Sequence, residues 1–239
     1  RYFEPENPGA ARDVLVAAGY RVHHLNAAPG ERPLCCGRTF LSAGRVNKAK
    51  AEMTRLVVAL KPFLKRNIPI VGLEPSCLLS FRDEFQSLLS GEDVKAAGKA
   101  ALLFEEFIAG EFDAGRFDLA FRKSSHSKAL LHGHCHQKSF DVMGSIEKTL
   151  TLIPGLQVET VPSGCCGMAG AFGYGAETYD TSMAMAEQAL LPAVREADDT
   201  TLIIADGTSC RTQISHGAQR QAAHVAVVLK DHLKETDCD

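Results

Sequence analysis

An internal duplication built around cysteine constrains this chain more than any other feature. Cys35-Cys36-Gly37 recurs as Cys165-Cys166-Gly167, and the single Cys77 after the first copy is matched by Cys210 after the second. With Cys135, seven of the eight cysteines belong to this pattern. Self-similarity at a fixed shift indicates a repeated structural unit. The chain is therefore expected to fold into two similar lobes.

The two copies differ in their number of thiols. In the second copy Cys135 precedes the doublet, which gives the spacing C-x29-C-C-G-x42-C and four thiols from three separate segments. In the first copy, the stretch where a partner for Cys135 is expected, residues 1–5, holds no cysteine. The first copy is one ligand short.

A repeated doublet with a distant third thiol favours a metal scaffold, because soft thiolates are the ligands that iron-sulfur clusters and zinc require. Disulfides are a poorer explanation, since adjacent cysteines pair only through a strained ring. The seven candidate metal ligands are Cys135, Cys165, Cys166, Cys210, Cys35, Cys36 and Cys77. Cys238 stands outside the repeat and is taken as unrelated.

Length and charge limit the class of protein. The 239 residues, 45% of them hydrophobic, suffice for one large domain or two lobes. A net charge of -3 and the absence of tryptophan argue against a nucleic-acid surface. With no transmembrane stretch and no signal peptide, we expect a cytoplasmic protein. Because the sequence opens at Arg1, we infer a piece of a longer polypeptide.

The repeat extends beyond the cysteines and predicts the fold. Residues 70–77 align with residues 203–210, and each stretch is a short apolar run that ends in Ser-Cys. Such runs are typical of buried parallel strands. The predicted fold class is α/β, with two pseudo-two-fold related lobes, each a small mostly parallel sheet flanked by helices. The lobes are placed at residues 1–121 and 122–239.

Hydrophobic periodicity predicts the individual elements. The predicted helices are Ala10 to Ala18, Asn47 to Lys65, Ser139 to Ile153, Ala176 to Glu196 and Ala222 to Leu233. The predicted strands are Tyr20 to Leu25, the run into Cys77, Leu156 to Val161 and Thr201 to Asp206. Cys77 and Cys210 would then sit at strand-to-helix turns, where unpaired amides favour a thiolate.

The glycines and histidines beside the cysteines are further candidates. Gly167 and Gly170 lie in a glycine-rich loop whose backbone amides could approach a negatively charged cluster, so both are predicted to bind the cofactor. His132, His134 and His136 alternate around Cys135. In an extended strand they would face away from the thiol, which favours packing or hydrogen bonding; a turn at Cys135 would return His134 or His136 to it.

These motifs resemble the cysteine-rich CCG domain of heterodisulfide reductase and of iron-sulfur subunits that serve glycolate, lactate and glycerol-3-phosphate oxidation. The segments 132–138, 165–174 and 205–211 are most similar to the C-terminal region of bacterial fusions of an FAD-linked oxidase with iron-sulfur domains, some of them D-2-hydroxyglutarate dehydrogenases. The resemblance implies an electron-transfer module. A flavin domain in the same parent chain would oxidise a 2-hydroxy acid, and this fragment would lack the substrate site.

One departure limits what the resemblance implies. The family pattern ends in C-x-x-C, whereas Cys77 and Cys210 are each followed by three residues that are not cysteine. Four thiolates suit one ordinary 4Fe-4S cluster, and zinc is the alternative, as a non-redox scaffold or docking module. The first copy could bind a cluster through a non-cysteine ligand, bind zinc, or only pack. Direct thiol-disulfide chemistry at Cys165 and Cys166 is a third hypothesis.

Overall fold

The computed structural model describes residues 4–234 and divides the chain into two compact units. The larger unit comprises Arg1–Val22 and Phe104–Asp239, and the smaller unit comprises His23–Leu103. The division of the sequence repeat at residues 121 and 122 stays a prediction. Both units contain helices and parallel strands, so the predicted α/β class is confirmed.

The smaller unit holds a two-stranded sheet. Strand β1 pairs in parallel with β2, with Ile70 opposite Ala101 and Gly72 opposite Leu103. Helix α3 packs against α6. The elements in chain order are α2 (Arg38–Ser42), α3 (Val46–Leu64), β1 (Ile70–Gly72), α4 (Pro75–Leu78), α5 (Glu84–Leu88), α6 (Glu92–Ala100) and β2 (Ala101–Leu103), with a 3-10 turn over Leu79–Phe81.

The larger unit holds a three-stranded parallel sheet in the order β4-β3-β5. Its elements are α1 (Glu6–Ala17), α7 (Phe104–Asp113), β3 (Lys128–His132), α8 (Cys135–Ser139), α9 (Met143–Thr151), β4 (Gln157–Thr160), α10 (Tyr179–Glu187), α11 (Leu190–Glu196), β5 (Leu202–Ala205), α12 (Thr208–Ala218) and α13 (Val225–Asp231). A 3-10 turn covers Phe172–Tyr174. Helix α1 packs on α13, and α7 packs on α9.

The central strand β3 fixes where the functional residues fall. Leu130 pairs with Glu159 of β4 on one side and with Ile203 of β5 on the other. The core packed on this sheet contains Cys166 and Cys210 among its apolar side chains. Because all three strands are parallel, the segments that follow β3 and β5 emerge at one edge of the sheet.

Several element predictions hold and others need correction. The helix over Asn47 to Lys65 and the strands over Leu156 to Val161 and Thr201 to Asp206 are confirmed. The strand at Tyr20 to Leu25 is wrong: residues 20–25 form no ladder within the described chain, because the chain passes from one unit to the other at Val22 and His23.

Three predicted helices are shorter than expected. The helix predicted from Ala176 to Glu196 is two helices, since Ala189 leaves the helical region with φ -155°. The helix predicted from Ser139 to Ile153 starts only at Met143, after Asp141 adopts a left-handed φ of 54°. The last helix starts at Val225, where the His224 side chain caps it. Among residues 4–234, no helix combines the length and the apolar character that crossing a bilayer requires.

Candidate metal centre

The four thiols of the second copy meet at the edge of the larger sheet. Cys165 hydrogen bonds to Cys135 and to Cys166, and Cys166 hydrogen bonds in turn to Cys210. The Cys166 and Cys210 sulfurs, together with a ring nitrogen of His132, all lie within 4.8 Å of one another. Three segments that are remote in sequence thus place four sulfurs in one cluster.

Two of these thiols are held by helix starts. Cys135 is the first residue of α8, which follows β3, and Cys210 lies in the first turn of α12, which follows β5. A β-carbon at Gly207, the residue that precedes α12, would lie 3.1 Å from the Cys210 sulfur. Glycine at this position therefore lets the backbone approach the sulfur closely.

The doublet is held by a glycine turn. Gly167 has a left-handed φ of 85°, and a β-carbon there would collide with the backbone carbonyl of Ser182. Its N–H donates to the Cys165 sulfur at 3.3 Å, and the Met168 N–H donates to Cys166. Gly170 also has a left-handed φ, of 68°, but its β-carbon position is open. The His136 N–H donates to Cys135, so backbone amides are directed at three of the four sulfurs.

Lys138 fastens the same loop from the other side. Its Nζ donates to the carbonyl of Gly164 at 3.0 Å and also to the carbonyl of Ser163. Burial lowers the pKa of Lys138, while the nearby cysteines act in the opposite direction. The half-buried cation therefore connects α8, which carries Cys135, to the residues just before Cys165.

The hydrogen bonds among the sulfurs divide the four thiols into two with lowered pKa values and two with raised pKa values. The pKa of Cys165 is lowered far below its usual value by the hydrogen bonds from Cys135 and Cys166. The pKa of Cys210 is lowered by a hydrogen bond from Cys166, against the effect of burial. The pKa values of Cys135 and Cys166 are raised, foremost by their hydrogen bonds to Cys165. Two sulfurs thus favour the thiolate, the form that binds metal.

Of the two arrangements considered for the histidines, the structure has the turn at Cys135 and not the extended strand. Strand β3 ends at His132, and the chain turns before α8, so the strand alternation does not reach Cys135. The Cys135 sulfur lies 3.9 Å from His134 Nδ1 and 3.6 Å from His136 Nδ1. His134 Nδ1 accepts the His136 N–H at 3.0 Å, in the capping interaction of α8. His134 and His136 therefore lie beside the Cys135 thiol, and His134 has a hydrogen-bonding role.

Behind the sulfurs lies a buried polar network that the sequence analysis missed. Gln137 donates to Glu105 at 2.6 Å and to Asp206 at 3.0 Å, and accepts the His134 N–H at 2.9 Å. Asp206 also accepts the Val225 N–H at 3.0 Å. One amide side chain therefore fixes the start of α8 to the end of β5. Glu105 could have been found from its spacing, because it shares the buried face of α7 with Ile108.

The first copy is arranged in a similar way within the smaller unit. The Cys36 and Cys77 sulfurs are 3.1 Å apart, and Cys35 hydrogen bonds to Cys36. The hydrogen bond with Cys35 lowers the pKa of Cys36, but the bond with Cys77 and burial outweigh it and raise the pKa to about 12. The pKa of Cys35 is raised as well, by its bond to Cys36 and by burial. Both adjacent thiols thus favour the protonated form.

The residues of the second copy fit a soft metal or an iron-sulfur cluster. Four sulfurs converge, backbone amides donate to three of them, and the buried His132 Nε2 makes no hydrogen bond of good geometry within residues 4–234. A cluster bound by four thiolates carries net negative charge, which amides directed at sulfur stabilise. The arrangement therefore has the donor set and the surroundings of a metal centre.

Comparison with known proteins confirms the resemblance inferred from the motifs. Residues 129–215 match the model of the CCG cysteine-rich domain family. The match includes the four converging cysteines of the second copy.

Three curated relatives extend the likeness. One subunit of the anaerobic glycerol-3-phosphate dehydrogenase of Escherichia coli K12 is 27% identical over 92% of this chain and 53% of its own length. D-2-hydroxyglutarate dehydrogenase of Pseudomonas putida is 29% identical over 96% of this chain and 21% of its own length. Lactate utilization protein A of Bacillus subtilis is 27% identical over 83% of this chain and 84% of its own length.

The chain corresponds to only part of two of these relatives. The chain spans about half the length of the glycerol-3-phosphate dehydrogenase subunit and about a fifth of the D-2-hydroxyglutarate dehydrogenase. Two of the three are named as dehydrogenases or dehydrogenase subunits, which gives the chain an oxidoreductase context.

Proposed function

We propose that Cys135, Cys165, Cys166 and Cys210 hold a 4Fe-4S cluster, and that the chain relays electrons in an FAD-linked 2-hydroxy acid dehydrogenase of the cytoplasm. The convergence of these four sulfurs on one edge of the larger sheet carries the proposal. The names of the relatives support the dehydrogenase setting. The electron donor would be a flavin domain of the same parent chain, and the acceptor is an external oxidant.

When bound, the cluster supplies one-electron redox chemistry, so two successive passages serve the two-electron oxidation of a hydroxy acid. The residues of this chain hold it and set its environment. The Gly167 and Met168 amides donate to sulfur, and Gly170 would permit the loop to follow the cluster surface. The core behind Cys166 and Cys210 keeps water from that side of the site.

The first copy has a different role in this proposal. Cys35, Cys36 and Cys77 supply three sulfurs, and those of Cys36 and Cys77 are 3.1 Å apart. We propose that this set is a structural metal site, with zinc as the metal that three thiolates and one further ligand would suit. It is expected to stabilise the smaller unit rather than to carry electrons.

The test is anaerobic purification followed by metal and sulfide analysis and EPR after dithionite reduction. The account predicts acid-labile sulfide and a reducible signal that Cys165→Ser abolishes. Cys238→Ser is the matched control, since Cys238 lies outside both copies and outside the described residues. Stoichiometric zinc without sulfide at the second copy would establish the alternative, a non-redox scaffold. If protein that contains no sulfide is active, and alkylation of its thiols abolishes that activity, thiol-disulfide chemistry would be supported instead.

A further inference from the structure

One atom beside the four sulfurs is unusual. Within residues 4–234, His132 Nε2 is the buried side-chain nitrogen or oxygen that makes no hydrogen bond of good geometry, and the group it interacts with is the Cys210 sulfur, whose pKa His132 helps to lower. The side chain is 1% exposed, so solvent does not satisfy it either. A buried polar group without a well-formed hydrogen bond is unfavourable. Such an atom indicates a partner that the folded protein is built to receive.

The position of His132 indicates which partner this is. His132 ends β3, the central strand of the sheet, and a ring nitrogen lies within 4.8 Å of the Cys166 and Cys210 sulfurs. Nδ1 is taken by the Ser163 hydroxyl at 2.9 Å. The remaining ring nitrogen is therefore Nε2, and the ring lies beside two of the proposed ligands, Cys166 and Cys210. The strand holds the ring in place before any cluster is bound.

Proton accounting assigns the hydrogen to Nε2. Lys138 Nζ lies 3.4 Å from Ser163 Oγ and can only donate to it. Within the described chain, the hydrogen of the Ser163 hydroxyl has one acceptor in reach, His132 Nδ1. If the hydroxyl donates to Nδ1, that nitrogen is the acceptor of a neutral imidazole, and the ring carries its proton on Nε2. The opposite tautomer would leave the hydroxyl hydrogen without an acceptor.

We infer that His132 donates an Nε2–H hydrogen bond to the thiolate sulfurs of Cys166 and Cys210 when the cluster is bound, and that this bond raises the reduction potential of the cluster. The inference rests on the proposed function and deepens it. His132 is a positioning and tuning residue, acting through the ligands, and the chain from Lys138 through Ser163 fixes its tautomer.

The direction of the effect follows from charge. Reduction adds one negative charge to a cluster that is already anionic, and a hydrogen-bond donor to sulfur stabilises the reduced state more than the oxidised one. Removing the donor should therefore lower the potential. A tenfold change in the reduction equilibrium constant is the expected scale, equivalent to 59 mV for one electron.

The experiment compares His132→Phe with His132→Gln in anaerobically reconstituted protein, using an EPR-monitored redox titration. Phenylalanine fills the ring volume without a donor, and glutamine keeps an N–H close to the position of Nε2. His126→Phe is the matched control, because His126 hydrogen bonds to the Thr200 carbonyl and not to the cysteine site. We expect a lowered potential in His132→Phe, a smaller shift in His132→Gln, and no shift in the control, with iron and sulfide content unchanged in all three.

The outcomes separate this inference from the proposed function. If the wild-type protein binds a cluster and His132→Phe leaves its reduction potential unchanged, the inference about His132 is overturned and the proposed function is not. Loss of one iron per site in both His132 variants would make His132 a direct ligand, which also overturns it. Wild-type protein that takes up no cluster overturns both proposals. Should the variants fail to fold, pulsed EPR of wild-type protein with 15N-labelled histidine decides: a weak nitrogen coupling supports the hydrogen bond, and the strong coupling of a bound nitrogen contradicts it.

Discussion

Gly37 and Gly167 occupy the same structural position in the two copies. Their φ angles are 80° and 85°, and their N–H groups donate to the Cys35 and Cys165 sulfurs at 3.4 and 3.3 Å. A β-carbon on Gly37 would meet a backbone carbonyl of α3 at 2.8 Å, and one on Gly167 would collide with the corresponding carbonyl of α10. The C-C-G motif therefore encodes one backbone turn, packed on a helix, that directs an amide at the first sulfur.

Gly167→Ala should be strongly destabilising. A left-handed φ costs a residue with a β-carbon about 1–2 kcal/mol, and the collision with the Ser182 carbonyl adds to that. Gly170→Ala is the matched control, because it has the same handedness, with φ 68°, and open space around its β-carbon. In urea unfolding, we expect Gly167→Ala to lose clearly more stability than Gly170→Ala. Equal losses would show that the close packing of the turn is unimportant.

Gly207→Ala tests the close approach of the backbone to Cys210 without backbone strain. Gly207 has an ordinary φ of -75°, but a β-carbon there would collide with the His134 ring and lie 3.1 Å from the Cys210 sulfur. We expect the variant to fold and to bind less metal, measured as iron per protein after anaerobic reconstitution. Gly164→Ala, where the β-carbon position is open, should bind as much as the wild type. Full metal content in Gly207→Ala would contradict the prediction.

Glu105→Gln should change how stability depends on pH. Burial, and then the charge of Asp206, raise the pKa of Glu105 well above its usual value of 4.5. A raised folded pKa gives stability that is fully present below the unfolded pKa and is lost as the pH rises toward the folded pKa. Glutamine does not ionise and can still accept from Gln137.

The measurable quantity is the difference in unfolding free energy between Glu105→Gln and the wild type. It should shift in favour of the variant by about 1.4 kcal/mol per pH unit above pH 4.5, until the folded pKa is reached. Denaturant unfolding at a series of pH values measures it. A difference that stays constant from pH 4.5 to neutrality would mean that Glu105 ionises normally in the folded protein.

Arg211→Lys should weaken the turn that carries Cys210. The Arg211 side chain donates to the carbonyls of Ala205 and Asp206, both at 2.7 Å, and pairs with Glu4. Lysine has a single ammonium group and cannot make all these hydrogen bonds at once, so a loss of about 2 kcal/mol in unfolding free energy is expected. Arg195→Lys, at the exposed pair with Glu187, should leave the unfolding free energy unchanged within error. Equal effects of the two changes would refute the role of Arg211.

The cysteine pattern allowed the convergence of the sulfurs to be expected, because thiols that follow neighbouring parallel strands lie at the same edge of the sheet. Cys135 and Cys210 follow β3 and β5, which are neighbours in the sheet, and this could be expected from the repeat. The structure adds the contacts between the sulfurs. Their role as metal ligands, including that of Cys35, Cys36 and Cys77, stays a prediction that the experiments above address.

The histidines and the buried carboxyl group could not be predicted in the same way. The orientation of His134 depends on where β3 ends, because side chains alternate between the two faces only while the backbone stays extended. The role of Glu105 depends on the packing of α7 near Gln137, which lies 32 residues away in sequence. Local periodicity carries no information about such a tertiary contact, although it does place Glu105 on a buried face.

Native mass spectrometry of anaerobically purified protein tests the central claim most directly, because the mass of the retained inorganic group identifies it. The account predicts mass increments of one 4Fe-4S cluster and one zinc ion. Cys210→Ser should lose the cluster, whereas Cys77→Ser should keep the cluster and lose the zinc. An increment of zinc alone, or a cluster that survives the loss of Cys210, would contradict it.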